Sequence, residues 1–317
     1  MVRQRELETS KAIHRRTGRT FYLATRFLPQ RVRHPTYVLY AFFRTADEVV
    51  DDAADVPPDE QRADLERLRE EALGTRPPSD PVLSAFVEVC DRHDIPDAEI
   101  NHFIDAMCTD IEKSRYETYD ELEAYMRGSS VAVANMMLAV MDPDDPETAR
   151  PHAAALGEAF QLTNFLRDVR EDILERDRIY LPRPTRERHG VTDEQIVALE
   201  MSDGFAATMR AELNRTERRY RTGVAGIRYL PPDCQFPVLL AAVLYADHHR
   251  LIRNRNYDVL TGDPSLGTLR KVRLLARTRW HWRRTDDPAM AFYRSSGIDR
   301  EERASHGAES GARSPVQ

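Results

Sequence analysis

Apolar side chains that recur every three or four residues, in segment after segment, constrain this chain more than any other feature. They do so across 38–50, 65–73, 82–90, 100–111, 122–141, 153–174, 205–227, 236–252 and 266–280, at the spacing that builds one face of an α-helix. Strict alternation over a strand's length is hard to find. The breaks carry Pro57-Pro58, Pro77-Pro78 with Pro81, Pro96, Pro143 with Pro146, Pro182 with Pro184, Pro231-Pro232 and Pro264; proline lacks the N–H that a helix interior uses. The pattern predicts an all-α fold. In 317 residues, 41% apolar content supplies a sizeable core, and no break before residue 283 is a long polar linker. Residues 1–282 therefore read as one helical domain with a central core. From Arg283 to Gln317 there are few large apolar residues beyond Met290, Phe292, Tyr293 and Ile298, and this segment reads as a polar, flexible tail.

Composition excludes several classes of function. The balance of 53 Asp+Glu against 46 Lys+Arg gives a formal charge of −7. Lys11, Lys113 and Lys271 are the lysines, leaving 43 arginines (46 − 3) scattered among acids, which is not a nucleic-acid footprint. Apolar stretches such as 236–246 fall short of the ~20 residues a spanning helix requires. The opening MVRQRELETSKAIHRRTG has no apolar core of the signal-peptide kind, so a cytoplasmic protein is expected. Cys90, Cys108 and Cys234 are odd in number and widely spaced, which fits packing better than a disulfide framework or a zinc site. The ten histidines make no metal-spaced cluster, and none is assigned a catalytic role.

Two acidic segments stand out. In TYVLYAFFRTADEVVDD, Tyr40, Arg44, Asp47 and Asp51 fall at offsets 0, 4, 7 and 11, one continuous face of a helix with about 3.6 residues per turn. Val38, Leu39, Phe42, Phe43, Val49 and Val50 fill the rest, so the carboxylates need a partner: an arginine or a bound cation. Salt bridges from Arg44 to Asp47 or Glu48 on an ordinary helix surface are the bland alternative. In EAFQLTNFLRDVREDILERDRIYLPRP, Gln161, Asn164, Asp168 and Asp172 fall at offsets 0, 3, 7 and 11, again on one face. An amide oxygen and two carboxylates one turn apart are hard oxygen ligands of the kind Mg²⁺ takes together with substrate phosphates. Arg167 and Arg170 flank this stripe, with Arg176 and Arg178 beyond, as donors for anionic oxygens or as partners of Glu171 and Glu175. Two such stripes facing each other across a helical bundle would form a metal site.

These segments resemble the two aspartate-rich signatures of the squalene and phytoene synthase family. RTGRTFYLATRFLP, AYMRGSSVAVANMM and LYADHHRLIRNRNYDVLTG resemble its N-terminal, mid-chain and late segments, so the likeness runs in order from about Thr17 to Leu275. It implies a single-domain isoprenoid synthase bundle around a central cavity, in which two prenyl diphosphates are joined head to head through a cyclopropylcarbinyl diphosphate. By this resemblance Asp47, Asp51, Asn164, Asp168 and Asp172 would hold Mg²⁺ (or Mn²⁺). Arg44, Gln161, Arg167 and Thr20 would contact diphosphate, with Tyr40, Tyr125 and Tyr245 at the cavity mouth. Gly18, Arg19 and Thr20 stand where relatives often have two serines around a lysine, and Arg270, Lys271 and Arg273 compete for a late basic contact.

Ser129, Ser130, Ala132, Ala134 and Ala139, with Thr25, would leave a tunnel deep enough for a C20 chain. The expected activity is condensation of two geranylgeranyl diphosphates to phytoene, the first committed step of carotenoid synthesis. It ends in proton loss, so no NADPH is expected. A downstream carotenoid desaturase and a peripheral membrane contact for product release follow as partners. The alternatives are a C30 synthase using farnesyl diphosphate, a chain-elongating prenyltransferase or terpene cyclase, and a non-catalytic assembly factor of the same fold. The elongating and cyclising enzymes usually carry DDxxD, where this chain has DEVVD and DVRED.

Overall fold

A computed structural model describes residues 10–12, 19–51, 56–285 and 287–300, and of residues 19 and 20 the backbone alone. The described residues are mostly helical and contain no strand, only an isolated bridge between Arg115 and Ile179. In chain order the helices are α1 (Arg19–Thr25), α2 (Gln30–Asp51), α3 (Pro58–Ala72), α4 (Pro81–Arg92), α5 (Asp97–Glu112) and α6 (Tyr119–Met126). A π-helical turn (Arg127–Ala132) leads into α7 (Val133–Met141), followed by α8 (Pro146–Arg167), α9 (Val169–Arg176), α10 (Arg183–Arg188) and α11 (Asp193–Val197). Next come α12 (Asp203–Ala225), a 3₁₀ turn (Gly226–Tyr229), α13 (Pro232–Asn254), α14 (Thr268–Trp282) and α15 (Pro288–Ser295). No helix among the described residues is long and apolar enough to cross a membrane.

Several prolines start helices. Pro81, Pro146 and Pro288 sit at first positions behind the capping aspartates Asp80, Asp145 and Asp287, whose carboxylates accept from the exposed backbone N–H groups of the first turn, where a missing N–H does no harm. The Asp-Pro signal at 287–288 corrects the expected boundary at residue 282. Behind it α15 buries Ala291 and Phe292 fully, and Ile298 beyond its end nearly so, in the cluster that holds Tyr220, Leu240 and Leu244. So few large apolar residues suffice because Phe292, with Ala289, Ala291 and Tyr293, joins a core cluster built by other helices, and Ile298 joins it from beyond the helix end. The rest of the expected tail, 301–317, lies outside the described residues.

Two helical layers leave a cavity between them. Phe42, Phe86, Phe103 and Met136 belong to one core cluster, under α2, α4, α5 and α7. A second lies under α12, α13 and α15 with Ala24 of α1, and a third gathers Ile173, Ile196, Phe205 and Leu260 beside α9 and α11. Phe42 stacks on Phe86 at 3.8 Å between ring centroids; a buried phenylalanine of this kind contributes about 3–5 kcal/mol against alanine. The long helices approach closely through glycine. A Cβ on Gly128 would lie 2.1 Å from the His102 carbonyl oxygen, and one on Gly223 would lie 2.8 Å from the Leu156 backbone. These contacts clamp the π turn to α5 and α12 to α8. They leave α8, α2 and α13 as walls of the space between.

Candidate active site

The cavity has a volume of about 820 Å³, and both polar stripes line it. Tyr40, Arg44, Asp47 and Asp51 enter from α2; Gln161, Asn164, Asp168 and Asp172 enter from α8 and α9. The second stripe is not one unbroken helix. Asp168, at φ −103° and ψ 14°, ends α8 and begins α9. Its N–H still bonds to Asn164 and its carbonyl still accepts from Asp172, so the face stays continuous through the break. Away from the mouth the walls are apolar, with Phe21, Leu28, Met137, Met141, Ile227 and Leu230 among them. Ser129, Ser130, Ala134 and Thr25 line the cavity as expected. Ala132 and Ala139 do not: Ala132 is buried against the first core cluster and Ala139 packs on it. The π turn, a wider helix often found at functional sites, brings the consecutive Ser129 and Ser130 to the same wall.

Acids outnumber bases at the mouth. Asp47, Asp51, Asp110, Asp168, Glu171 and Asp172 face Arg44, Arg167, Arg176 and Arg178. Arg176 stands between the stripes, its Nε 3.2 Å from Asp51 Oδ1 and its Nη1 3.6 Å from Asp172 Oδ1. Arg178 Nη1 lies 3.5 Å from Asp51. Arg167 Nε donates to Asp168 at 2.6 Å, and Arg44 Nε donates to Glu48 at 3.2 Å, the ordinary i,i+4 pair that the sequence allowed. Even with these arginines the carboxylates are short of countercharge. Burial, with Asp51 beside it, pushes Asp47 up to about 7. Burial, with Asp168 beside it, pushes Asp172 up to about 8. In both cases loss of water disfavours the charge and a like charge adds to it.

Asp110 of α5 is the member that sequence reasoning missed. It is buried at the same mouth, accepts from the Tyr125 hydroxyl at 2.7 Å and the Tyr180 hydroxyl at 3.4 Å, and its backbone carbonyl accepts from Arg178 at 2.7 Å. Burial pushes it up to about 6 against the pull of Arg178 and Tyr125. The signal available was that Asp110 continues the apolar face of Phe103 and Met107, at offsets 0, 4 and 7 of the segment at 100–111. Tyr125 thus lines the cavity with its hydroxyl committed to Asp110, rather than open at the mouth. Tyr245 also lines it, its ring 4.8 Å from Phe160 and its hydroxyl held above the ordinary range by burial. The Thr20 side chain lies outside the described set.

Other sequence candidates point elsewhere. Arg170 leaves the mouth and donates to the Leu260 carbonyl at 2.8 Å. Arg270 is held by Asp247 through two bonds of 3.0 and 2.6 Å, so it is not available as the late basic contact. The thiols of Cys90 and Cys234 are each pushed up to about 12 by burial, as packing residues should be.

The mouth's ligand chemistry fits a hard divalent cation. Four aspartates and an amide oxygen converge on one cavity, and Asn164 Oδ1 is buried with no hydrogen-bond partner among the described residues. A buried acceptor left unpaired is unfavourable by about 1–3 kcal/mol, which a cation would relieve. No group of three acidic, histidine or cysteine side chains is drawn together to ligand distance among the described residues; Arg176 lies between Asp51 and Asp172.

Comparison with known proteins shows the family. The model of the squalene/phytoene synthase family matches residues 14–281. The chain is 30% identical to a phytoene synthase of Rhodobacter capsulatus over 282 residues, covering 88% of this chain and 82% of that protein. It is 30% identical to a 15-cis-phytoene synthase of Synechococcus elongatus, covering 84% and 89%. Among solved structures, a dehydrosqualene synthase in complex with a ligand superposes with a TM-score of 0.80 at 27% identity, covering 89% of this chain and 98% of that one.

Proposed function

Because the chain belongs to the squalene/phytoene synthase family and is a prenyltransferase, we propose that its cavity joins two geranylgeranyl diphosphates head to head to give phytoene. The observation that carries this reading is a carboxylate-rich mouth opening onto a long apolar cavity. An anionic leaving group and its charge-balancing groups belong at such a mouth, and the hydrocarbon belongs inside. Curated relatives at about this level of identity are named phytoene synthases, which supports the C40 product.

Asp47, Asp51, Asn164, Asp168 and Asp172 would hold Mg²⁺, which supplies Lewis-acid stabilisation of the departing diphosphate. Arg44, Arg167, Arg176 and Arg178 bind diphosphate oxygens through charge-assisted hydrogen bonds. For Arg176 this means leaving Asp51 and Asp172, which frees both carboxylates as diphosphate arrives. Gln161 orients the same group from the α8 face, and Thr20 is assigned to the diphosphate from the α1 side. Diphosphate leaves one substrate, the resulting allylic cation is attacked by the double bond of the other, and a proton departs to give the cyclopropylcarbinyl diphosphate. A second ionisation, rearrangement and proton loss complete phytoene. Two diphosphates and two protons leave, so no NADPH is consumed. The apolar walls exclude water from the cations, while the rings of Tyr40 and Tyr245 steady them through their faces. Asp110 acts as a positioning residue that fixes Tyr125 and Arg178. A carotenoid desaturase would take up the product, and contact with a membrane would serve its release.

The test is incubation of purified protein with Mg²⁺ and C15 or C20 diphosphates, without NADPH, followed by mass analysis. A C40 hydrocarbon is expected. A C30 product alone overturns the chain length in favour of the second reading, a C30 synthase, which the likeness to dehydrosqualene synthase supports.

A further inference from the structure

Helix α14 carries two apolar faces and needs only one of them to fold. Its inner side seats Leu274 and Thr278, both fully buried, with Leu275 and Trp282 packed beside them. Its outer side presents Leu269, Val272, Ala276 and Trp280 at offsets 0, 3, 7 and 11, a single stripe. Leu269 is 73%, Val272 55% and Trp280 49% exposed, and Ala276 is exposed as well. Exposed apolar residues scattered singly need no explanation, whereas a contiguous stripe marks a contact.

The charge around the stripe says what kind of contact. Between Ser265 and Thr285 there are seven Arg or Lys and no Asp or Glu, in a chain whose net charge is −7. Arg270 is spoken for by Asp247. Arg273 and Arg279 flank the stripe on its two sides and Arg283 extends it; all three are exposed, and none forms an ion pair with an acid among the described residues. Arg279 instead lies over the Phe236 ring at 5.5 Å, and Arg284 lies over Trp280 at 3.9 Å. A helix with Leu, Val and Trp on its outer face and unpaired arginines at its borders suits the boundary of an anionic lipid surface, where the apolar side chains enter and the guanidiniums meet phosphates. The chain's own segments outside the described set are poor covers. Residues 1–9 and 13–18 include basic runs, and 301–317 contains only Val316 as a sizeable apolar side chain.

We propose that α14 docks this protein on anionic lipid bilayers through the Leu269, Val272, Ala276 and Trp280 stripe and its arginine border. The position is suited to a tunnel enzyme. Trp282 packs on Phe236, Phe236 meets the half-exposed Phe27 edge to face at 5.8 Å, and the next residues along the chain, Pro237 and Leu28, line the cavity. An apolar path therefore runs from the inner side of α14 to the cavity wall. That the product leaves toward the bilayer here rests on the reading of the cavity given above. The docking itself is measured without substrate, so the two fail separately.

Flotation with vesicles of phosphatidylcholine, alone or mixed with phosphatidylglycerol, tests it. The wild-type chain should float with the anionic vesicles, less so as salt is raised, and not with phosphatidylcholine alone. Leu269→Ser with Trp280→Ser, and separately Arg273→Glu with Arg283→Glu, should each weaken that binding by about tenfold or more with an unchanged circular dichroism spectrum. In a Trp282→Phe background Trp280 is the sole tryptophan, and its emission should shift to the blue on anionic vesicles. Equal binding to both kinds of vesicle, binding that both double variants retain, or no binding by wild type overturns the proposal. So does sedimentation velocity showing self-association that Leu269→Ser with Trp280→Ser abolishes, since a second copy would then be the occupant.

Discussion

Two regions of this molecule bury carboxylates on long helices and treat them in opposite ways. Beneath α13, Asp247 is fully buried and receives four guanidinium hydrogen bonds, two from Arg250 and two from Arg270, at 2.6 to 3.1 Å. Nearby, Glu217 receives Arg253 at 2.6 Å and His249 at 3.3 Å, and His249 in turn meets Thr163 at 3.0 Å. Both carboxyls are held below the ordinary range by these partners. At the cavity mouth the balance is reversed, and Asp47, Asp110 and Asp172 are all raised. The first arrangement is saturated and holds helices together. The second is short of positive charge and is completed by what binds.

Breaking the unsaturated side should have the largest effect. Asp168→Asn or Asp47→Asn should lower turnover by about a hundredfold to a thousandfold or more while helicity and melting temperature hold or rise, because a like-charge contact is relieved. Product mass analysis beside thermal melts checks this, and normal turnover in either variant refutes the assignment. On the saturated side, Arg250→Ala with Arg270→Ala leaves Asp247 buried alone. Urea unfolding should show a loss of about 3–5 kcal/mol, and an unchanged midpoint would mean that the cluster does not hold α14 to α13.

Mg²⁺ with diphosphate should separate the regions more gently. It should raise the melting temperature of wild type by mass action and leave that of Asp47→Asn nearly unmoved; an equal rise in both would place the ion elsewhere. Acid should probe the saturated side. Glu217 is depressed in the folded state, so its contribution is present above its ordinary value of 4.5 and is lost as pH falls through the lower folded value, since the unfolded chain takes up protons first. The stability gap between wild type and Glu217→Gln should accordingly narrow below about pH 4, as followed by unfolding at several pH values. Arg170→Ala should matter least, at about 1 kcal/mol of stability with turnover kept. A large loss of turnover would return Arg170 to the diphosphate site.

Much of the site was legible because helical periodicity is a local property. Tyr40, Arg44, Asp47 and Asp51 had to share a face once the segment was helical, and Gln161, Asn164, Asp168 and Asp172 likewise, even through the break at Asp168. The roles of the arginines were not legible. Arg167, Arg170, Arg176 and Arg178 are nearly equivalent in spacing, yet Arg170 reaches Leu260 while Arg176 reaches Asp51, 125 residues away. A long flexible side chain has several partners in reach, and packing chooses among them. Residues 288–298 were misjudged for a related reason: their few apolar side chains looked too sparse to fold until α12 and α13 supplied the surface they cover.

What the sequence by itself determined was the long helices before residue 283, the two oxygen-rich faces and the apolar character of what lies between, since each follows from spacing within about 20 residues and a period of about 3.6. What only the tertiary structure decided was which charges meet: Asp110 joining the mouth from a third helix, Arg176 standing between the stripes, and Asp247 claiming Arg270. Countercharge is a matter of angstroms across helices distant in sequence, and it is the count of those pairings that separates the carboxylates that hold the fold from those left open for binding.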